Sequence, residues 1–254
     1  MRSDPLAVSP SALRPLTGEA LLTAWERGGG RSWSGQALEL LSAGCPDLAS
    51  SLERAMPIAK RDRLLLELHR LTFGETMPSF AVCAACGERL EFELPCDWAA
   101  GVLDAAAGDL LDQDGWTVTL RLADGFDLEH AAAEPDIGLA RSALVERCVS
   151  ATGPDGRTIP IGDLPETIRA MAETRLSAMH EAAELTAVLT CPACQAAQSV
   201  LIDIPAYLWA ETRNAARRLV ADVGEIAHAF GWSEAAILSM SAARRRAYQE
   251  MIRA

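Results

Sequence analysis

Two Cys-x-x-Cys pairs constrain the fold of this chain more than any other feature of its sequence. The pairs are Cys83/Cys86 and Cys191/Cys194, and they lie about a hundred residues apart. Zinc bound by thiolates takes four ligands at tetrahedral corners, and a Cys-x-x-Cys turn presents two sulfurs on one side of a tight loop. Two such turns complete one site. The spacing therefore predicts a single structural Zn²⁺ held by all four cysteines.

The residues that follow each pair repeat one pattern. Apolar and acidic side chains alternate over residues 90–94 after the first pair and over residues 202–204 after the second, and a proline follows each run. Alternation with a period of two is typical of a half-buried strand. Gly87 suits a turn that requires positive φ. We therefore predict two β-knuckles, each followed by a strand, that face each other across one metal as a split zinc ribbon.

Disulfides and a redox dithiol are the alternatives to a metal site. No apolar signal segment precedes the Asp-, Pro- and Ser-rich residues 1–15, so we expect a cytoplasmic protein, where reduced thiols favour metal. A thioredoxin-like dithiol lies where a helix begins, whereas strand-like sequence follows each pair here. Cys45, Cys96 and Cys148 stand alone. We expect Cys148 to be a core thiol, and Cys96 is near enough to the first knuckle to be a substitute ligand.

Composition narrows the class of protein. The 254 residues are enough for one large domain or two small ones, and because 50% are apolar but only 5% aromatic, we expect a mainly helical core. The net charge of −12, with Lys60 as the only lysine, opposes phosphate binding as the main activity. No transmembrane span is evident in the sequence.

Periodicity and capping residues predict an α+β fold, mainly helical, with a C-terminal helical module. Within the insertion we expect a strand at residues 116–122, followed by a turn at Asp124-Gly125. Helices are expected at residues 17–28, with Thr17 as the cap, 37–44, 59–73, with Gly74 as the stop, 136–149, 164–179 and 205–230, and beyond Ser233 and Ser241. Ile137 and Leu139 belong to the apolar residues of 136–149, and Ile168, Leu176 and Met179 are expected to face inward from 164–179. The predicted units are an N-terminal helical segment (1–54), a split zinc-ribbon domain (55–204) with an insertion at about 97–185, and the C-terminal module (205–254).

Residues 224–238 have the spacing of a helix-turn-helix, in which a recognition helix would begin at Ser233. That helix carries Glu234 and no arginine before Arg244, so it lacks the side chains that contact phosphates and read bases. A nucleic-acid-binding regulator is therefore the alternative function, and nucleic acid is not the expected partner. A helix pair joined by a capped turn accounts for the same pattern.

The sequence contains no catalytic motif that we can identify. The four histidines are scattered over the chain, and no nucleophile elbow, metalloprotease motif or phosphate-binding glycine loop is present. Four thiolates around a metal leave no coordination position for water. We therefore predict a protein that is not an enzyme, with no catalytic residue, no cofactor besides zinc and no small-molecule substrate.

Three segments, in their order, resemble a family of zinc-knuckle proteins. Residues 61–74 precede Cys-x-x-Cys-Gly, Leu-Trp-Ala-Glu stands at 208–211, and residues 230–248 form the ending. The genes of this family lie with those of contractile phage tails and phage-tail-like injection systems. Its proteins are related to baseplate proteins of contractile-tailed phages. The resemblance covers about residues 55–254, and Ala84 departs from the more usual Cys-Pro-x-Cys.

The resemblance implies a non-enzymatic role in building or completing a baseplate, either in the cytoplasm or within a tail-like particle. It implies protein partners among baseplate or tail components. Only Cys83, Cys86, Cys191 and Cys194 carry over as site residues. Trp209, Trp232 and Tyr248 are candidate interface anchors because aromatic residues dominate binding hot spots. Inward packing between helices is the alternative, and for Trp232 it is the favoured one.

Overall fold

The computed structural model describes residues 12–46, 55–104 and 108–253. Within these ranges the helices outweigh three small antiparallel sheets, which confirms the predicted mainly helical α+β class. The helices are α1 (Gly18–Gly28), α2 (Trp33–Gly44), α3 (Ile58–Phe73), α4 (Cys96–Asp104), α5 (Gly125–Ala132), α6 (Ile137–Cys148), α7 (Glu166–Ala182), α8 (Ile204–Phe230), α9 (Glu234–Leu238) and α10 (Ala242–Arg253). The strands are β1 (Thr76–Val82), β2 (Arg89–Pro95), β3 (Asp109–Gln113), β4 (Trp116–Leu120), β5 (Val149–Thr152), β6 (Thr158–Ile159), β7 (Thr186–Thr190) and β8 (Ala197–Leu201).

Each Cys-x-x-Cys pair lies at the tip of a two-stranded hairpin, β1–β2 or β7–β8. The same order of elements surrounds both pairs: a long helix that begins after a proline (Pro57 or Pro165), a strand, the knuckle, a second strand and another helix. The strand before each knuckle was not predicted. Pro78 within β1 is a signal against a strand, but β1 is an edge strand, where a missing N–H is tolerated.

The second hairpin ends earlier than its sequence predicts. Pro95 is the last residue of β2, whereas β8 stops at Leu201 and Pro205 lies in the first turn of α8. The side chain of Asp203 accepts a hydrogen bond from the Ala206 N–H at 2.9 Å. An aspartate at this position caps a helix, so the apolar residues 202 and 204 belong to the helix junction and not to a strand.

Helices α1, α2, α3 and α8 pack on one another around a large buried cluster. Leu40, Leu68 and Leu208 are fully buried in it. Glycines allow two close approaches, since a Cβ at Gly28 would lie 2.5 Å from the Trp209 ring and one at Gly44 would lie 2.7 Å from Leu68. Cores close-packed in this way resist added volume.

The aromatic residues proposed as interface anchors are partly buried within the helical core. Trp209 packs against α1 at Gly28. Trp232 stacks on Phe230, with ring centroids 4.8 Å apart, and meets the edge of Tyr248 at the same distance. Inward packing is therefore the outcome for Trp232, as the sequence favoured, and these side chains join α8 to α10.

Three details of local structure differ from the sequence prediction. Thr17 precedes α1, but its side chain does not cap that helix. Asp124 does not form a hairpin turn; it is the N-cap of α5, in a reciprocal capping box with Asp127. In α6, Ile137 and Leu139 are 88% and 48% exposed. The apolar stripe of α7, by contrast, is buried as expected at Ile168, Leu176 and Met179.

The unit boundaries at residues 54 and 204 stay a prediction. Residues 47–54, which surround the first of them, lie outside the described residues. Among the described residues, no helix is long and apolar enough to cross a membrane.

A buried carboxylate organises the insertion, which also contains the four-stranded sheet β3-β4-β5-β6. Asp127 is fully buried and accepts hydrogen bonds from Arg121 at 2.5 Å and 3.0 Å, from Arg147 Nε at 2.6 Å and from the Asp124 N–H at 2.9 Å. Burial alone would raise the pKa of Asp127, but the arginines and the N–H outweigh it and hold the pKa well below its usual range. Asp127 of α5 thus contacts both Arg121, the residue after β4, and Arg147 of α6.

Replacing Asp127 with Asn should destabilise the protein by about 2–4 kcal/mol, because two arginines lose the carboxylate that neutralises them. The folded-state pKa is lowered, so the stabilisation is present at neutral pH and is lost as pH falls below about 4. Urea unfolding at pH 7 and pH 3 measures both effects. The difference between wild type and D127N should be smaller at pH 3.

Asp155→Asn is the matched control. Asp155 pairs with Arg157, but the two side chains are 58% and 82% exposed, so the change in unfolding free energy should stay within about 0.5 kcal/mol. Equal effects of D127N and D155N, or a D127N effect that grows at pH 3, would contradict the role given to Asp127.

Candidate metal centre

The structure brings all four predicted cysteines together. Their Sγ atoms lie within 4.8 Å of one another, with 3.7 Å between Cys83 and Cys194 and 3.6 Å between Cys86 and Cys191. A tetrahedral zinc with Zn–S bonds of about 2.3 Å requires sulfurs about 3.8 Å apart. The four thiols therefore fit a closed tetrahedral thiolate site.

Backbone hydrogen bonds shape the two knuckles alike. Cys83 N–H donates to the Glu88 carbonyl at 2.8 Å, and Gly87 N–H donates to the Cys83 carbonyl at 2.9 Å. Cys191 makes the same pair of bonds with Ala196 and Gln195. The residue after each second cysteine has positive φ, 78° at Gly87 and 61° at Gln195. Glycine adopts this conformation without strain, whereas glutamine does not.

One side chain that sequence reasoning missed connects the hairpins. Gln198 of β8 accepts a hydrogen bond from the Ala84 N–H at 2.8 Å and donates from Nε2 to the Val82 carbonyl at 3.1 Å. Both partners flank Cys83, so the amide holds the first knuckle against the second strand pair. A lone glutamine in a strand carries no sequence signal for this role, because only the meeting of the hairpins creates it.

The site lies at the boundary between the protein interior and solvent. Cys83 and Cys191, the first cysteine of each pair, are buried, and Cys86 and Cys194 are exposed. Leu90 packs with the two buried cysteines in a small cluster of its own. The ribbon is also tied to the helical core, since the Tyr207 hydroxyl of α8 donates to the Pro78 carbonyl of β1 at 2.8 Å.

The thiols influence one another's ionisation. Backbone N–H groups of Ala85 and Cys86 lower the pKa of Cys83 to about 7. The Glu88 N–H lowers that of Cys86, but the neighbouring thiols of Cys194 and Cys191 outweigh it and raise the pKa to about 12. Four sulfurs this close cannot all ionise without a compensating positive charge. A divalent cation would supply that charge and deprotonate the thiols.

The structure does not favour disulfides, a redox dithiol or Cys96 as a ligand. All seven cysteines are free thiols, and neither pair lies at the start of a helix, which a thioredoxin-like dithiol requires. Cys96 is not a substitute ligand: it begins α4, and its Sγ lies 3.6 Å from His69 Nδ1. Burial raises its pKa to about 11. Cys148 is the expected core thiol and is buried beside Asp127.

Two of the histidines have structural roles. His180 Nδ1 bonds to the Leu176 carbonyl at 2.9 Å, and its Nε2 accepts from the Ala123 N–H at 3.2 Å. His69 is buried between the rings of Phe73 and Tyr207. His69 Nδ1 faces the thiol of Cys96, which is buried as well.

The helix-turn-helix alternative finds no support. Ser233 caps α9 as predicted, but α9 is only five residues long, carries Glu234 and buries Ile237 against the core. A recognition helix must offer basic or amide side chains to a DNA groove. Helix α9 offers none.

A family model described as T4 bacteriophage base plate protein matches residues 19–209. The match covers about three quarters of the chain and includes both Cys-x-x-Cys pairs. It begins in α1, earlier than the resemblance seen in the sequence, and ends in the first turns of α8. No curated protein and no solved structure matches the chain.

Gly87→Ala should destabilise the first knuckle by about 1–2 kcal/mol, because alanine is strained at positive φ. A Cβ at this position has open space around it, so the backbone conformation is the only cause. Thermal or urea unfolding of the wild type and the variant measures the loss.

Gly101→Ala is the control with the opposite sign. Gly101 lies in α4, is exposed and also has open space where a methyl group would be added. Alanine in a helix interior is favoured over glycine by about 1 kcal/mol. The account of Gly87 is wrong if both variants change stability in the same direction.

Proposed function

Because this chain belongs to the T4 bacteriophage base plate protein family, we propose that it is a structural or assembly protein of a contractile tail or injection-system baseplate and that one zinc ion stabilises it. Cys83, Cys86, Cys191 and Cys194 bind the zinc, and protein components of the baseplate or tail are the partners. The protein has no catalytic activity and works in the cytoplasm or within the tail particle.

The family match supports the baseplate role, and the convergence of the four thiols carries the zinc part of the proposal. It joins hairpins whose cysteines are 105 to 111 residues apart in the chain. Metal binding that joins distant segments contributes directly to folding free energy, on the order of 10 kcal/mol for structural zinc. With four thiolates bound, no position is open for a water or substrate. The metal therefore stabilises the fold, and the surface of the protein binds the partners.

The proposed zinc site predicts one zinc per chain, measured by elemental analysis of the purified protein, with four thiols protected from alkylation. Chelation should expose those thiols and lower the melting temperature. Cys194→Ser should lose zinc, because a tetrahedral site lacks one of its ligands. Cys45→Ala, at a cysteine outside the cluster, should retain it. Two metals per chain, none, or equal metal content in C194S and wild type would refute the site.

The baseplate role predicts that deletion of the gene from its phage or injection-system cluster leaves tails without completed baseplates, as seen by electron microscopy. Supplying the wild-type protein should restore complete baseplates, because the deletion strain lacks only this protein. The C86S/C194S double variant should not restore them if zinc maintains the fold, whereas C45A should. Normal, functional particles from the deletion strain would contradict the role.

A further inference from the structure

Three arginines that form no ion pair within the described part of the chain line a second candidate site, a cleft between helices. The cleft has a volume of about 750 Å³ and lies where the start of α1, the end of α3, the middle of α8 and the α9–α10 junction meet. Arg218, Arg245 and Arg246 line it, together with the carboxylates of Glu19 and Asp222. The volume is in the range of ordinary ligand sites.

Arg245 is the residue that points to a ligand. It is only 9% exposed, its Nη1 donates to the Met240 carbonyl at 2.6 Å, and its Nε is shielded from solvent with no hydrogen-bond acceptor. None of the three cleft arginines forms an ion pair within the described residues. A buried guanidinium without a counter-ion is costly, and an anionic group bound in the cleft would remove that cost.

The N-termini of two helices add to the positive electrostatic potential of the cleft. Ser241 and Ala242 at the start of α10, and Thr17 and Gly18 at the start of α1, all line the cleft. The first N–H groups of a helix have no acceptor within it, and the helix dipole places partial positive charge there. Gly18 makes this meeting possible: its φ is 51°, and a Cβ there would lie 3.1 Å from the Leu238 carbonyl oxygen.

The other residues that line the cleft indicate which kind of molecule carries the anionic groups. Apolar side chains stand beside the arginines, among them Phe73, Leu219 and Met240. A phosphodiester backbone has no apolar side chains to contact them. A peptide that carries carboxylates next to leucine-like side chains matches both parts of the lining.

We propose that this cleft binds an acidic, amphipathic segment of a protein partner, whose carboxylates contact Arg218, Arg245 and Arg246 and the N-terminus of α10. The proposal does not depend on the cysteine site. It assigns a partner surface on the side of the protein formed by α1, α8 and α10.

The test is a fluorescence-anisotropy titration of full-length protein with a labelled peptide of sequence Glu-Leu-Glu-Glu-Leu-Glu. Wild type should bind it saturably, and the glutamine analogue of the peptide should bind at least about tenfold more weakly, because it lacks the charge-assisted hydrogen bonds. Arg218→Gln/Arg246→Gln should weaken binding of the acidic peptide by about the same factor. Both residues are exposed, so folding should be retained.

Arg213→Gln/Arg217→Gln is the matched control, since it removes the same charge from exposed positions of α8 that do not line the cleft. It should leave affinity within about twofold, because distant exposed charges are screened by salt. Glu19→Gln should tighten binding by removing a like charge from the cleft.

Three outcomes would overturn the proposal. They are the absence of saturable binding, equal weakening by the two double variants, and displacement of the peptide by duplex DNA at lower concentration than by unlabelled peptide. Zinc content measured on the same samples keeps this result separate from the metal site, because loss of peptide binding with zinc retained refutes the cleft alone.

Discussion

The meeting of four thiols is the constraint on which the arrangement of this protein depends. Each hairpin is short, and a two-stranded hairpin by itself is marginally stable in water. The β1–β2 and β7–β8 hairpins are stabilised because Cys83, Cys86, Cys191 and Cys194 converge, because Gln198 bridges them, and because Tyr207 fastens β1 to α8. Helices α3 and α7 lead into these hairpins and helices α4 and α8 follow them, so the meeting of the thiols brings the ends of four helices to one ribbon.

Two kinds of polar interaction support the fold at a distance from the thiols. In the insertion, buried Asp127 receives hydrogen bonds from two arginines and closes a capping box, so its charge is fully compensated. At the junction of α1, α8 and α10, buried Arg245 has only one carbonyl acceptor and no counter-ion among the described residues. The charge of Asp127 therefore stabilises the fold, whereas we propose that the charge of Arg245 is available to a partner. Three arginines thus line one cleft of a protein whose net charge is −12.

Much of the helical architecture follows from sequence patterns because local physics decides it. The stripe of α3 and the stop at Gly74, the stripe of α7, and the capping serine of α9 are found where periodicity and capping rules place them. The failures occur where two signals compete. Asp124-Gly125 matches a hairpin turn and also a helix N-cap, and the reciprocal bond with Asp127 decides for the cap. Asp203 likewise ends the second hairpin early because its side chain caps α8.

The sequence by itself determined the four candidate ligands, the knuckle shape around Gly87 and the mainly helical class, because cysteine spacing, positive-φ turns and apolar periodicity are local properties. Only the tertiary structure decided that strands precede both knuckles, that Gln198 bridges them, that Cys96 faces His69 and not the thiols, and that Arg245 is buried beside two helix N-termini. Gln198 bonds to a residue 114 positions away, and Cys96 contacts a residue 27 positions away. Their contacts arise from packing, which no local pattern records.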